Sequence, residues 1–385
     1  MSTFKYIIVG AGAAGLHLTL AMLRQNLLKS NEKLLIIEPG LKKQNDKTWC
    51  FWEKEQGNWN QILTKSWNRG RVTAKNEAID FNLNQYRYKM LNSIDFYEFA
   101  KTKIELEPNI HWLKDEVIEL SESANGQVEV ITKTYTFSSQ LVFDSRITKD
   151  FFSPNKYYKI NQHFKGWFIE TENHFFNPER FTMMDFSIKD GQSTSFTYIL
   201  PISTTKALVE FTYFTPNLVD NHIYDQFLNK YLEHKNAPKY KIISVEQGNI
   251  PMTNFPFEQY STDSIIKIGT AGGWVKASTG YAFKNCERQA DHIVRKLLNR
   301  QKLTTSSSSK YKHYDKLFLD VLSHQNNFGE MLFYKMYKRN KIETIFKFLD
   351  EKSNLLEDFS IISNLTSTPF IKAFGKHILS GFKLK

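Results

Sequence analysis

Gly10, Ala11, Gly12, Ala13, Ala14 and Gly15 match the pattern G-x-G-x-x-G and constrain this 385-residue chain more than any other feature. The apolar run Lys5 to Val9 in front of them predicts a buried strand, and the residues after them predict a helix to about Leu28. Glycines in such a turn allow it to be tight and let the backbone approach a pyrophosphate closely. The following helix N-terminus is left free to hold that anion. Leu34 to Ile37 predicts the next strand, and Glu38 ends it 23 residues past Gly15, where a carboxylate can accept from ribose hydroxyls. Gly10, Gly12, Ala14, Gly15 and Glu38 are therefore expected to bind a dinucleotide, against the plainer reading of a turn used for tight packing. The same glycines argue against reading Tyr6 to Leu23 as a signal peptide or membrane span, because they weaken a continuous apolar helix. The expectation is a soluble or peripheral protein.

A second cluster, Gly269-Thr270-Ala271-Gly272-Gly273, comes about 255 residues later, between a predicted strand Ile265 to Ile268 and a predicted helix Tyr281 to about Arg300. A late return of this kind favours FAD over NAD; its alternative is an ordinary glycine turn. Between the clusters lie a polar-aromatic stretch from Lys42 to Asp95, a helix Asp95 to Lys103, a hairpin over Val128 to Phe137 and a short strand Leu141 to Asp144. From about Lys156 the pattern alternates, predicting strands His163 to Thr171, Thr182 to Ile188, Ser195 to Ile202 and Lys206 to Phe214. A helix over Val219 to His234 follows. Thr304 to Ser309 reads as a polar linker, and the chain from Tyr311 onward as mostly helical. The expected fold is α/β: a Rossmann-like FAD-binding domain built from 1–95, 96–155 and 261–303, an inserted antiparallel-sheet substrate domain over 156–260, and a helical, basic region over 310–385.

Composition bears on the partners. With 31 Phe, 18 Tyr and 7 Trp the chain carries large apolar surfaces, suited to a greasy ligand. A net charge of +11 favours an anionic partner, whether nucleic acid, an anionic membrane surface or a phosphorylated cofactor. Cys50 and Cys286 make no disulfide framework, so a reducing compartment is expected. No Cys/His metal spacing, Walker motif or G-x-S-x-G supports metal, P-loop or serine-hydrolase chemistry.

Two acids stand in apolar strands. Alternation puts Glu210 on one face with Leu208 and Thr212, and Val209, Phe211 and Tyr213 on the other. A carboxyl in an apolar lining has a raised pKa and can donate a proton near neutral pH. A glutamate on a wet sheet face is the competing reading, and Asp185, after Met183-Met184, has the same ambiguity. Trp49, Phe51, Trp52, Trp59 and Trp67 are candidates to face a cation, or simply core. Lys335, Lys338, Arg339 and Lys341 interleave with Phe333, Tyr337, Ile342 and Phe346, and the tail carries Lys372, Lys376, Lys383 and Lys385. This pattern predicts either a membrane-facing basic surface or a solvated helical face.

Several segments jointly resemble the flavoprotein lycopene cyclases, the bacterial lycopene β-cyclases among them. They are Ile7 to Gly15, Asp46 to Trp52, Gln162 to Trp167, Met184-Asp185-Phe186, Val209-Glu210 and, most specific, Gly269 to Phe283. The resemblance covers nearly the whole chain. It implies an isomerase that closes the ψ ends of lycopene to β-rings, through γ-carotene to β-carotene. That reaction is net non-redox yet needs reduced FAD, with NAD(P)H as electron source. By the same resemblance, Glu210 protonates the terminal C1=C2 alkene, C5=C6 closes the ring, and loss of the C6 proton leaves the β-ring. Asp185 supports, the anionic flavin and aromatic faces stabilise the cation, and Thr48, Trp49, Gly269, Thr270, Ala271, Gly272 and Gly280 join the cofactor contacts.

Two positions depart from the family pattern: Phe211 stands where many members place a second acid, and Ala277 where relatives often carry Pro. A cytoplasmic protein at the inner face of the cell membrane is implied, with no nucleic acid and no metal as partner. The competing readings are a net-redox FAD-dependent monooxygenase or isoprenoid reductase, and a non-catalytic carotenoid or flavin carrier. Hydroxylases usually carry Gly-Asp where this chain has Gly269-Thr270.

Overall fold

Strands covered on both faces must be apolar along their whole length, and Leu34–Ile37 and Ile7–Val9 are buried throughout. The computed structural model describes residues 2–54, 56–154, 156–303 and 309–365. In chain order its first part contains β1 (Ser2–Val9), α1 (Ala13–Arg24), β2 (Leu34–Ile37), β3 (Thr48–Lys54), β4 (Lys65–Trp67), β5 (Arg69–Ala74), β6 (Glu77–Asn82), β7 (Tyr86–Asn92) and α2 (Ser93–Glu105). The middle contains β8 (Ile110–Leu113), β9 (Val117–Glu122), β10 (Val128–Thr132), β11 (Thr136–Asp144), β12 (Lys159–Thr171), β13 (Arg180–Asp185), β14 (Ser195–Pro201), β15 (Lys206–Thr215) and α3 (Asn221–His234). The last part contains β16 (Tyr240–Thr253), β17 (Ile265–Lys267), α4 (Phe283–Leu298), α5 (Ser309–His324), α6 (Gly329–Arg339), α7 (Ile342–Leu349) and α8 (Leu355–Leu365).

The first sheet runs β8-β2-β1-β11-β10-β9, with β17 also on β11. Strands β8, β2, β1, β11 and β17 pair in parallel, while β9 and β10 add antiparallel. The second arm of the expected hairpin and the return strand are one continuous strand here. The first half of β11 pairs β10, and its second half, Val142–Asp144, pairs β17. Helices α1 and α4 pack on this sheet around Leu16, Leu18, Ala21, Ala290 and Val294. Helix α1 stops at Arg24 rather than near Leu28 because Asn26 turns left-handed, at φ 50°.

The second sheet runs β16-β12-β15-β14-β13-β5-β6. Three of its strands lie outside the four that alternation predicts. The 14-residue β16 is interrupted by Gly248 and Pro251, which hide it from a pattern reading. Strands β5 and β6 come from the stretch assigned to the first domain, and β5 pairs β13 in parallel. The second layer therefore draws on residues before the expected boundary. A small sheet, β3-β7-β4, sits between the two.

The second sheet has two covered faces. One meets helices α5 to α8 through Leu200, Leu208, Phe214, Leu317, Phe333 and Phe346; the other meets α3 through Trp167, Val209, Phe211, Leu228 and Tyr231. Phe333, Tyr337, Ile342 and Phe346 are all buried in that first contact. The apolar side of the basic helical pattern thus faces the protein's own core, and Lys338 pairs with Glu77. The tail lysines Lys372, Lys376, Lys383 and Lys385, and linker residues 304–308, lie outside the described residues. Among the described residues no helix is long and apolar enough to cross a membrane.

Candidate active site

The turn between β1 and α1 is built as the glycine spacing requires. Gly10 adopts φ +100°, and a Cβ there would fall 2.1 Å from Ser145 Oγ; one on Gly15 would fall 2.1 Å from the Gly10 carbonyl oxygen. Ser145 follows β11 and its hydroxyl donates to the Val9 carbonyl at 2.7 Å, so neighbouring parallel strands shape the turn together. Helix α1 opens at Gly12 with no side chain capping it and no acid in its first turn, which leaves its N–H groups free for an anion. Glu38 is buried at the end of β2 and accepts from the Ala11 N–H at 2.7 Å and the Gly40 N–H at 3.0 Å. Its carboxylate thus braces the backbone of the turn, and it is not among the residues lining the cavity next to that turn.

That cavity has a volume of about 460 Å³ and runs from the glycine turn to the second sheet. Gly12, Ala14, Thr48, Trp49, Gly269, Thr270, Gly280 and Glu210 all line it, although they come from far-separated parts of the chain. Gly10, Gly15, Ala271 and Gly272 are not among the lining residues. A Cβ on Gly272 would meet the Lys267 carbonyl oxygen at 2.3 Å, so its role is close packing of the late loop. Gly280, at φ +71°, lets that loop lie against Gln162. Lys276, in the same loop, is buried and pairs with Asp315 and Glu351, both at 2.9 Å, which ties the loop to the helical region. Gln162 Oε1 and Thr279 Oγ1 are buried with no hydrogen-bond partner, and both residues line the cavity. An uncapped helix N-terminus at one end and unpartnered polar atoms further in fit a dinucleotide carrying a polar ring system.

Beyond Gly280 the walls become apolar: Phe164, Met183, Phe196, Leu208, Phe214 and Phe333 face the space. Glu210 stands on this wall, 7% exposed, between Leu208 and Thr212 as alternation predicts. Its hydrogen bond is from the Thr212 hydroxyl, at 2.6 Å. Burial and then the nearby Glu246 carboxylate push its pKa up to about 8, outweighing Thr212, so Glu210 holds its proton at neutral pH.

Asp185 lies elsewhere. It is buried against α3, where its carboxylate accepts from the Ser187 N–H at 2.9 Å and the Tyr231 hydroxyl at 2.7 Å and pairs with Lys235 at 3.0 Å. Burial opposes ionisation there, but these donors and the Lys235 charge outweigh it and hold the pKa below the usual aspartate value. Asp185 is not among the residues lining the cavity, although Met183 and Met184 are, and its partners tie it to α3. Of the aromatic stretch, Trp49 lines the cavity. Trp52 stacks on Phe346 at 4.5 Å, Phe51 on Phe283 at 5.1 Å, and Trp59 and Trp67 are buried in the cores.

One cavity residue carries no signal in the sequence. Glu246, on β16, lines the cavity, and its carboxylate accepts from both the Thr48 N–H, at 3.2 Å, and the Thr48 hydroxyl. The donors of Thr48 are thus turned toward Glu246. No motif surrounds Glu246, and only the pairing of β16 with β12 reveals it.

A glycine-rich βαβ turn, a late glycine loop on the same cavity and an apolar chamber against an antiparallel sheet define a flavoprotein-type α/β protein. Solved structures with this fold include HpxO from Klebsiella pneumoniae complexed with FAD, with TM-score 0.63 and 13% identity over 91% of this chain and 98% of that one. A geranylgeranyl bacteriochlorophyll reductase-like protein from Thermoplasma acidophilum has TM-score 0.58 and 12% identity over 97% and 96%. A tryptophan halogenase from Shewanella frigidimarina has TM-score 0.60 and 12% identity over 95% and 89%. No curated protein matches the sequence. The model of the family described as "Lycopene cyclase protein" matches residues 6–374, and the chain belongs to that family. Among the described residues no group of three or more His, Cys, Asp or Glu side chains is placed to hold a metal ion.

Proposed function

We propose that this protein is an FAD-dependent lycopene β-cyclase, an isomerase that closes the ψ end groups of lycopene through γ-carotene to β-carotene. The observation that carries the reading is Glu210: a buried carboxyl, its pKa pushed up to about 8, on an apolar wall in the same cavity as the glycine turn. A chamber of this kind suits a hydrocarbon end group and a proton donor, and it offers a polar substrate few partners.

Glu210 delivers its proton to C2 of the C1=C2 alkene and leaves the cation at C1. The apolar wall formed by Phe164, Phe196, Leu208 and Phe214 holds the end group folded, so that the C5=C6 electron pair reaches C1. It also excludes the water that would otherwise trap the cation. Loss of the C6 proton completes the β-ring, with no net change in electrons. Gly12, Ala14, Thr270 and Gly280 would hold FAD, which in reduced anionic form, with NAD(P)H as electron source, would supply negative charge that stabilises the cation.

The substrate resides in a bilayer, so the protein works at the inner face of the cell membrane in this reading, and its +11 net charge suits an anionic surface. The candidate contact is α8, where Leu355, Leu356 and Phe359 are 73%, 83% and 71% exposed. A small apolar cavity beneath α8 shares Thr279, Phe333, Met336 and Leu349 with the main one, giving a hydrocarbon a route inward.

The test is anaerobic incubation of the protein with lycopene in liposomes and FAD, with and without NADPH, followed by chromatography and mass analysis. The expected product has unchanged mass and a β-carotene spectrum and forms only with reductant. A gain of two hydrogens or one oxygen would overturn the reading in favour of a net-redox flavoprotein.

A further inference from the structure

The cyclisation proposed above moves two protons, and Glu210 accounts for one of them. Strand register supplies a candidate for the other. Gly166 on β12 pairs Glu210 on β15 on one side and Glu246 on β16 on the other. Tyr198 on β14 pairs Glu210 in turn, so Tyr198, Glu210, Gly166 and Glu246 form one row across four strands, all facing the cavity side. Two strand spacings of roughly 4.8 Å separate the carboxylate-bearing backbones. Gly166 projects nothing between them, and a Cβ there would fall 2.7 Å from Leu208 Cδ1 and 3.3 Å from Glu210 Cβ. The next row repeats the device: Gly248 on β16 lies under the Phe164 ring, where a Cβ would meet ring carbons at 2.5 Å.

Burial raises the pKa of both carboxyls, but the partners that oppose it differ in number. Glu210 accepts from Thr212 against apolar side chains. Glu246 is only partly buried, accepts twice from Thr48 and feels the charge of Lys47. When two neighbouring carboxyls cannot both ionise, the better-solvated one carries the charge and the other keeps the proton.

We infer that Glu246 is the base that removes the C6 proton, paired with Glu210 across Gly166. The inference rests on the cyclase reading. C2 and C6 both end bonded to C1, so proton delivery and removal occur beside one carbon, as a single row of side chains requires. Glu210 loses a proton to C2, the C5=C6 pair forms the C6–C1 bond, and the C6–H electrons form the ring alkene as Glu246 takes that proton. Transfer from Glu246 back to Glu210 across the glycine gap resets the pair.

The experiment compares wild type with Glu210→Gln, Glu246→Gln and Glu246→Asp in D2O, using reduced FAD and lycopene in liposomes. It reads β-ring product, deuterium in recovered lycopene, and bound flavin by absorbance. Glu210→Gln should give neither product nor labelled lycopene. Glu246→Gln should lose product by about 10²-fold or more, while recovered lycopene gains deuterium, because C2 is protonated and deprotonated without ring completion. Glu246→Asp should recover part of the turnover. Wild-type turnover in Glu246→Gln would overturn the assignment, as would loss of both product and exchange, which marks a merely structural role through Thr48. Failure of the cyclase reading looks different: wild type itself would yield no product of unchanged mass, and the assignment would fall with it.

Discussion

Glu210 and Asp185 stand on one sheet, 7% and 3% exposed, and differ in what meets them. Asp185 is held by a backbone N–H, a tyrosine hydroxyl and a lysine on the α3 side, and it is ionised. Glu210 faces the cavity with a threonine hydroxyl for a partner and keeps its proton. Burial alone raises a carboxyl pKa; partners decide whether the shift survives. The α3 face is packed as a core, with Phe211 stacked on Phe227 at 4.7 Å. The cavity face keeps its polar groups underused, as Gln162 Oε1 and Thr279 Oγ1 also show. What separates the two acids is the set of donors and charges that meets each carboxyl.

The largest expected effect separates the faces by activity. Glu210→Gln should lower turnover by about 10³-fold with flavin absorbance retained, while Asp185→Asn, assayed below its unfolding range, should stay within about twofold of wild type. A large loss in Asp185→Asn alone would break the comparison.

Stability should follow the opposite order. Phe211→Ala removes a fully buried ring and should cost about 3–5 kcal/mol in chemical denaturation, while the pH profile of turnover in the surviving folded protein stays that of wild type.

The two acids also predict opposite pH dependences. Glu210 has a raised folded pKa, so its contribution to stability is full below about 4.5 and is lost as pH rises through about 8. Glu210→Gln should therefore gain stability relative to wild type across that window, and turnover of wild type should fall on its alkaline side. Asp185 has a lowered folded pKa, so its contribution is present above about 3.8 and is lost as pH falls below that value. Denaturation curves of both variants from pH 3 to 9 check both signs; parallel curves would refute the contrast.

The smallest effect sharpens it. Asp185→Asn should destabilise by about 1–3 kcal/mol at neutral pH, since the Tyr231 and Ser187 donors lose a charged acceptor. Unchanged stability would mean that Lys235, 31% exposed, and solvent compensate for the loss.

Much of the architecture was legible because it is local. The first turn, the β1-α1-β2 unit and the face assignments within β15 follow from spacing and alternation. Strand β16 was not legible, because Gly248 and Pro251 break its pattern and its pairing partner β12 lies some 80 residues earlier. Without that pairing Glu246 is an ordinary glutamate. The basic helical stripe is legible as amphipathic, but amphipathicity does not say what its apolar side meets; Phe333, Tyr337 and Phe346 meet the second sheet and its neighbours. Asp185 shows the same limit, since nothing around Met184-Asp185-Phe186 says that Tyr231 and Lys235 will meet it.

What the sequence determined by itself is whatever depends on near neighbours: glycines where the backbone must turn tightly, apolar strands where both faces are covered, and alternation that divides Glu210 from Phe211. What only the tertiary structure decided is which divided face became the cavity and which acid kept its proton. Charge state follows from partners in space. Thr48 and Glu246 meet across 198 residues of chain, and that meeting exists only once the sheets have closed.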